Sequence, residues 1–256
     1  MFMVHSSAQT GYSQDAQAQT YASSRPDYPP ALADWLTGTL QLAPGSTVAD
    51  VGAGTGKFTP RLLATGAEVI AVEPVAAMRE HIAPHAHLRV VAGTAEATGL
   101  GDATLDAVVC AQSFHWFASR ASLDEFARVL SPGGRLGLVW NVRDESVDWV
   151  AAITRLIDPY EGDTPRYWKQ TWRGAFPHPG FSALAECTLR HAHEGPPEQV
   201  IIGRTLSTSF IAALPEAERN RLRAELQALI DSHPALRGQA VVRYPYQTHL
   251  VSCQRL

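Results

Sequence analysis

Lysine is almost missing from this chain: of 21 basic residues only Lys57 and Lys169 are lysines, and the arginines are scattered without forming a tract. With 25 acidic residues the formal net charge is -4, so there is no basic field to release counterions from nucleic acid, and no nucleic-acid partner is expected. Cysteine is scarce too. Cys110, Cys187 and Cys253 share no paired spacing, which excludes a disulfide framework and fits reduced thiols in a cytoplasmic protein. His-x-x-x-His and clustered Cys/His spacings are lacking, so no metal is expected. No apolar run is long enough to cross a bilayer, and Met1-Phe2-Met3-Val4-His5 lacks a basic segment leading into an apolar one, so no membrane is expected either. Internal repeats are absent as well.

What is present is an ordinary globular composition, 45% apolar and 18% charged over 256 residues, enough for one substantial core. Residues 1–30 read as an arm or lid, rich in Ser, Gln, Ala and Thr up to the turn Arg25-Pro26-Asp27-Tyr28-Pro29-Pro30. Leu32, Trp35, Leu36 and Leu40 then recur at helical spacing. From Thr47 the pattern alternates. Strand-length apolar runs at 47–51, 68–72, 88–91, 105–110 and 136–140 are separated by helix-like stretches at 59–64, 76–82 and 122–130, the last ended by Pro132-Gly133-Gly134. That order predicts an α/β fold: a doubly wound, mostly parallel sheet with right-handed crossovers. Strands at 184–191 and 241–252 enclose helices at 199–213 and 216–231 and predict a closing antiparallel hairpin. The whole of 31–256 is expected to be one domain, with helical and aromatic cap elements at about 142–180 and 197–238. Five of the six tryptophans lie between Trp116 and Trp172, a concentration suited to lining a pocket.

In an open parallel sheet, ligands bind beyond the carboxyl ends of the strands. Asp50-Val51-Gly52-Ala53-Gly54-Thr55-Gly56 stands at the first such end. A dinucleotide loop would carry its third glycine at position 57, where this chain has Lys57. Asp50 would repel a pyrophosphate but would pair with an ammonium group such as that of S-adenosylmethionine. Glu73 ends the second strand, where a carboxylate can accept hydrogen bonds from both ribose hydroxyls.

Tyr21-x-x-x-Arg25-Pro26-x-Tyr28-Pro29, the Asp50–Thr59 loop, Val72-Glu73-Pro74 with Met78, Gly93-Thr94-Ala95-Glu96, Asp106 to Phe117 and Arg128-Val129-Leu130-x-Pro132-Gly133-Gly134 together resemble the seven-strand (class I) S-adenosylmethionine-dependent methyltransferases, in the small-molecule group that includes trans-aconitate methyltransferases. The resemblance runs from Tyr21 to the C-terminus. It implies that Asp50, Gly52, Gly54 and Gln112 surround the methionine part of the cofactor, that Glu73 holds the ribose, and that Pro74 and Met78 border the adenine. Ala95 would offer its N–H to the adenine ring, Thr94 or Glu96 would receive the amine, and Tyr21 and Arg25 would close over the site. Relatives often carry Asp where this chain has Thr94.

The run Ala111 to Phe117 lies where the methyl group must meet its acceptor, and His115 is the candidate base or orienting group there. Trp116, Asn141, Arg143, Trp149, Trp168 and Trp172 are candidates for the substrate pocket, although Arg143 could instead pair with Asp144 or Glu145. The expected reaction is methyl transfer to an oxygen, nitrogen or carboxylate of a small organic molecule by a monomer or homodimer, with S-adenosylhomocysteine as coproduct. The alternatives are a nicotinamide-dependent oxidoreductase and a binding or scaffold protein that keeps the cofactor without transferring methyl.

Overall fold

The structure is a computed structural model that describes residues 25–256. Most of the expected N-terminal arm, Tyr21 included, lies outside the described residues. The chain groups into two compact units. The first, here the sheet unit, comprises Pro29–Trp140, Pro165–Leu189 and His249–Leu256. The second, the helical unit, comprises Asn141–Thr164, Arg190–Thr248 and the described part of Met1–Tyr28.

In chain order the main elements are β1 (Thr47–Val51), α1 (Thr59–Leu63), β2 (Glu68–Val72), α2 (Ala76–Arg79), β3 (Leu88–Val91), β4 (Leu105–Ala111), α3 (Arg120–Val129), β5 (Leu130–Arg143), α4 (Asp148–Ile157), β6 (Ala185–Gly195), α5 (Glu216–Ser232) and β7 (Val242–Gln254). Seven strands form one sheet in the order β3-β2-β1-β4-β5-β7-β6, with the reversal of order at β1 and β4. Pairs β1–β2, β1–β4, β2–β3 and β4–β5 are parallel. Strand β7 runs against β5: Gly133 and Gly134 exchange backbone bonds with Arg255, while Asp144 N–H donates to the carbonyl of Pro245. This is the α/β arrangement expected from the alternating runs, with the antiparallel hairpin at its end.

Burial explains why β1 and β2 read as continuous apolar runs. Val48, Ala49, Val51, Val69, Ala71 and Val72 are buried, as both faces of a central parallel strand require. Helix α3 starts where the Ser119 hydroxyl accepts from the Ser122 N–H, and it turns Leu123, Phe126 and Val129 into the core.

Three elements depart from the sequence reading. Pro132-Gly133-Gly134, expected as a turn before a strand at 136–140, lies inside β5, which begins at Leu130. The register steps from Leu105↔Leu130 to Ala107↔Arg135, so the segment is a bulge whose residues, the proline included, lie between the paired positions. Helix α4, whose Trp149, Val150, Ile153 and Ile157 face the core, was hidden by the density of aromatics around it. The helix expected over 199–213 is broken into a π turn, Glu198–Gly203, and two short helices, Arg204–Leu206 and Ser209–Ala212. The helical unit has its own core, in which Val200, Ile201, Ile202, Phe210 and Ile211 pack with α4 and α5. No helix among the described residues is long and apolar enough to cross a membrane.

Candidate active site

At the carboxyl end of β1 the chain turns sharply. Gly52, Gly54 and Gly56 all have positive φ, and a Cβ on Gly52 would lie 2.7 Å from Cβ of Ser113, so the loop and the segment after β4 meet backbone to side chain. The Ser113 hydroxyl donates to the carbonyl of Val51 at 2.8 Å and fixes that contact. Beside Gly54 the nearest atom to an added Cβ would be Sδ of Met78, 3.9 Å away, which leaves room over the loop.

Asp50 is buried under this loop. Its Oδ2 accepts from the Thr59 hydroxyl at 2.8 Å, while Oδ1 is buried without a hydrogen-bond partner. Burial pushes the Asp50 carboxyl up to about 7; Thr59 opposes the shift and the neighbouring Glu73 adds to it. Glu73 is also raised, by burial first, against two backbone donors that orient it: Gly54 N–H on Oε2 at 3.0 Å and Val75 N–H on Oε1 at 2.9 Å. Arg79 grips the carbonyls of Glu73 and Pro74 at 2.7 and 2.8 Å. Thr94 and Ala97 close a tight turn through reciprocal backbone bonds, with Ala95 buried inside it. The Thr94 hydroxyl is a second buried polar atom without a partner, and Glu96 accepts from Ser122 at 3.4 Å. Past β4, Gln112 adopts φ 59° while its N–H still bonds the carbonyl of Val139 on β5.

The sheet unit therefore brings Asp50, Gly52, Gly54, Glu73, Pro74, Met78, Thr94, Ala95, Glu96, Gln112 and His115 onto neighbouring elements at one end of the parallel strands. Two buried oxygens among them, Oδ1 of Asp50 and Oγ1 of Thr94, have no hydrogen-bond partner.

His115 follows the tip of β4, and Nδ1 of its ring accepts the indole N–H of Trp140 at 3.1 Å. Burial, and then the Arg166 guanidinium, lower its pKa to about 3. Trp140 is itself packed against Trp172, with ring centroids 4.8 Å apart, and against Tyr167 at 5.0 Å. The Tyr167 hydroxyl meets Nδ1 of His249 at 2.8 Å, and Nε2 of His249 meets Glu186 at 2.9 Å. Both oxygens of Glu186 also accept from Arg173, which holds its carboxyl down at about 2. Trp140, Tyr167, His249 and Glu186 did not emerge from the sequence as site residues. The one signal for Trp140 was its place at the end of the strand beside β4.

The remaining pocket candidates separate. Trp116 stays beside His115, 5.4 Å between centroids. Trp172 is buried in the aromatic stack, whereas Trp168 is 58% exposed with Lys169 over its ring. Trp149, expected in the pocket, is a core side chain of the helical unit, packed on Tyr244 at 4.9 Å. Arg25, Asn141 and Arg143 also belong to the helical unit. Arg25 donates to the carbonyl of Ser207 at 3.0 Å, and Asn141 donates to that of Asp27 at 3.2 Å. Arg143 stands 3.9 Å from Glu145. Among the described residues no group of three or more His, Cys, Asp or Glu could hold a metal ion.

A family model described as a methyltransferase domain matches residues 49–138, the span from β1 into β5. A methyltransferase-like protein of Schizosaccharomyces pombe is 36% identical over 241 residues, covering 92% of this chain and 92% of its own. An uncharacterised methyltransferase of Mycobacterium bovis is 37% identical over 229 residues, 89% of each chain. Among solved structures, a candidate type II methyltransferase from Anaeromyxobacter dehalogenans superposes with a TM-score of 0.68 at 25% identity, covering 90% of this chain and 97% of that one. The chain belongs to the class I S-adenosylmethionine-dependent methyltransferases.

Proposed function

We propose that this enzyme transfers the methyl group of S-adenosylmethionine to an oxygen of a small organic molecule that arrives already ionised, foremost a carboxylate, and that His115 orients the acceptor without deprotonating it. The observation that carries this reading is the bond from Trp140 to His115. An indole N–H can only donate, so Nδ1 of His115 is unprotonated and the ring hydrogen of the neutral imidazole sits on Nε2. His115 thus presents a donor, and with a pKa near 3 it takes up no proton at neutral pH. A phenol, alcohol or ammonium acceptor would have to lose a proton, and His115 is not built to receive it. A carboxylate has none to lose and needs only to be held in line with water excluded.

The donor cradle fits the cofactor. Oδ1 of Asp50, buried and without a partner, would take the ammonium of the methionine part, and a cation there would draw the Asp50 carboxyl back to its charged form. Glu73, oriented by two backbone N–H groups, would accept from the ribose hydroxyls with its remaining lone pairs. Pro74 and Met78 would border the adenine, with Thr94, Ala95 and Glu96 at its edge, while Gly52, Gly54 and Gln112 would border the methionine chain. The bound cofactor supplies an electrophilic methyl carbon on a sulfonium: a carbon–oxygen bond forms as the carbon–sulfur bond breaks, S-adenosylhomocysteine leaves, and no proton moves.

Cofactor labelled in its methyl group, incubated with a panel of organic acids, phenols and amines, tests the reading. Label is expected in a product that mild alkali converts to methanol, as an ester does. Label that survives alkali as an ether or a methylamine would overturn it.

A further inference from the structure

Ser122, Glu125 and Arg128, spaced by three on α3, lie along one side of the helix and meet the segment between β3 and β4 one after another. The Ser122 hydroxyl stands 3.4 Å from Oε1 of Glu96. Oε1 of Glu125 accepts from both the N–H and the hydroxyl of Thr98, at 2.8 and 2.6 Å. Arg128 donates to the carbonyl of Leu100 at 2.9 Å and to the carboxylate of Asp102. All of these residues belong to the sheet unit. The proposed reaction gives α3 no part.

The grip is closest at Glu125, whose side chain is only 9% exposed, and at Thr98, which is buried. Burial would raise the Glu125 carboxyl, yet the bonds from Arg128 and Thr98 hold it below its ordinary range, so its oxygens only accept. Arg128 donates to Oε2 at 2.8 Å through Nε and to Oε1 at 2.7 Å through Nη2, a two-pronged contact that fixes the carboxylate on the helix.

Thr98 is where the turn closes. Its carbonyl would lie 2.7 Å from a Cβ on Gly93, so the chain entering the turn and the chain leaving it touch there. Between those ends Thr94 and Ala97 exchange backbone bonds, which leaves Ala95 and Glu96 at the tip. Thr98 follows Ala97 directly, so the place at which Glu125 holds Thr98 sets where the Ala95 N–H and the unpartnered Thr94 hydroxyl stand. A backbone N–H can pair only with an acceptor. Adenine offers a lone pair at N1, whereas hypoxanthine carries a hydrogen on N1 and a carbonyl in place of the amine.

We infer that Glu125 is a positioning residue for recognition of the cofactor's base: through its two bonds to Thr98 it fixes the turn Thr94–Ala97 against α3 and so sets the preference for adenine. The inference rests on the reading that Thr94, Ala95 and Glu96 border the adenine edge.

The test is calorimetric titration of the full chain with S-adenosylhomocysteine and with its hypoxanthine analogue, S-inosylhomocysteine, alongside melting curves. The parent is expected to prefer the adenine ligand by about a hundredfold. Glu125→Ala removes both bonds to Thr98 and should narrow that preference about tenfold, chiefly by weakening the adenine ligand. Glu125→Gln keeps an oxygen for Thr98 but sets an amide NH2 against the Arg128 guanidinium, so it should melt lower yet keep the preference within about twofold. Thr98→Val deletes the hydroxyl bond alone and should narrow the preference about threefold, which decides the matter if Glu125→Ala does not fold. An unchanged preference in the folded variants Glu125→Ala or Thr98→Val would overturn the role of Glu125 and leave the adenine edge where it is read. A preference lost as fully in Glu125→Gln as in Glu125→Ala would overturn it too, because charge rather than the bonds to Thr98 would then be the cause. A parent that binds the two ligands equally would overturn the reading of the adenine edge itself, and the inference with it.

Discussion

The indole N–H of Trp140 donates to Nδ1 of His115 across 3.1 Å, joining the rims of two neighbouring parallel strands, β4 and β5. In the proposed reading of the site, this bond makes His115 present a donor to the acceptor rather than act as its base. Trp140 is held for the purpose by Trp172 and Tyr167, and the Tyr167 hydroxyl is anchored in turn on His249 and Glu186.

Trp140→Phe keeps an aromatic ring in the stack and removes only the N–H that sets the tautomer. A net hydrogen bond of about 1 kcal/mol supports one protonation pattern, so turnover should fall roughly fivefold while cofactor affinity stays within twofold. Nitrogen NMR of labelled histidine should show a single Nε2-protonated ring at His115 in the parent and a mixture in the variant. An unchanged tautomer together with unchanged turnover would leave Trp140 a packing residue.

The grouping of Asp50, Gly52, Gly54 and Glu73 was legible in the sequence because it is local: they sit at strand ends that their own apolar runs announce. The arrangement around His115 was not, since its partners come from 25 residues away for Trp140 and, through Tyr167, from 82 residues further for His249. Trp149 misled for a related reason. Its aromatic character is the same in a pocket as in a core, and only the burial of α4 against Tyr244 decides between them. Pro132-Gly133-Gly134 read as punctuation, whereas the bulge opposite Leu105 and Ala107 lets a strand run through it.

Asp50 predicts a pH dependence of both stability and binding. Its carboxyl titrates near 7 in the ligand-free fold and near 3.8 when unfolded, so the folded state binds the extra proton. The associated stability is fully present below about pH 4 and is lost as pH rises through 7, up to roughly 2–4 kcal/mol. Asp50→Asn keeps a neutral side chain beside Thr59, and should melt higher than the parent at pH 8 with little difference at pH 4. Binding should run the other way: affinity of the parent for S-adenosylhomocysteine should rise with pH through about 7 as the carboxylate forms, and the Asn variant should bind at least tenfold more weakly at pH 8. Melting curves and calorimetry at the two pH values check both halves, and an Asn variant that binds as well as the parent would remove Asp50 from the cradle.

Gly52 and Gly54 separate the two demands on the loop. Both have positive φ, 71° and 58°, so alanine at either position costs about 1–2 kcal/mol in backbone strain. At Gly52 the added methyl would also stand 2.7 Å from Cβ of Ser113 and 3.2 Å from the Phe117 ring, and overpacking of that kind adds roughly 1–3 kcal/mol. At Gly54 it meets only Sδ of Met78 at 3.9 Å. Gly52→Ala should therefore lower the melting temperature clearly more than Gly54→Ala in the absence of ligand. The order should change for binding at equal folded fraction: a methyl group on Gly54 enters the space beside Met78 and should weaken S-adenosylhomocysteine at least tenfold, although the N–H of residue 54 still reaches Glu73. If Gly54→Ala binds like the parent, the room over the loop is not where the cofactor lies, and the cradle built on Asp50 and Glu73 must open in another direction.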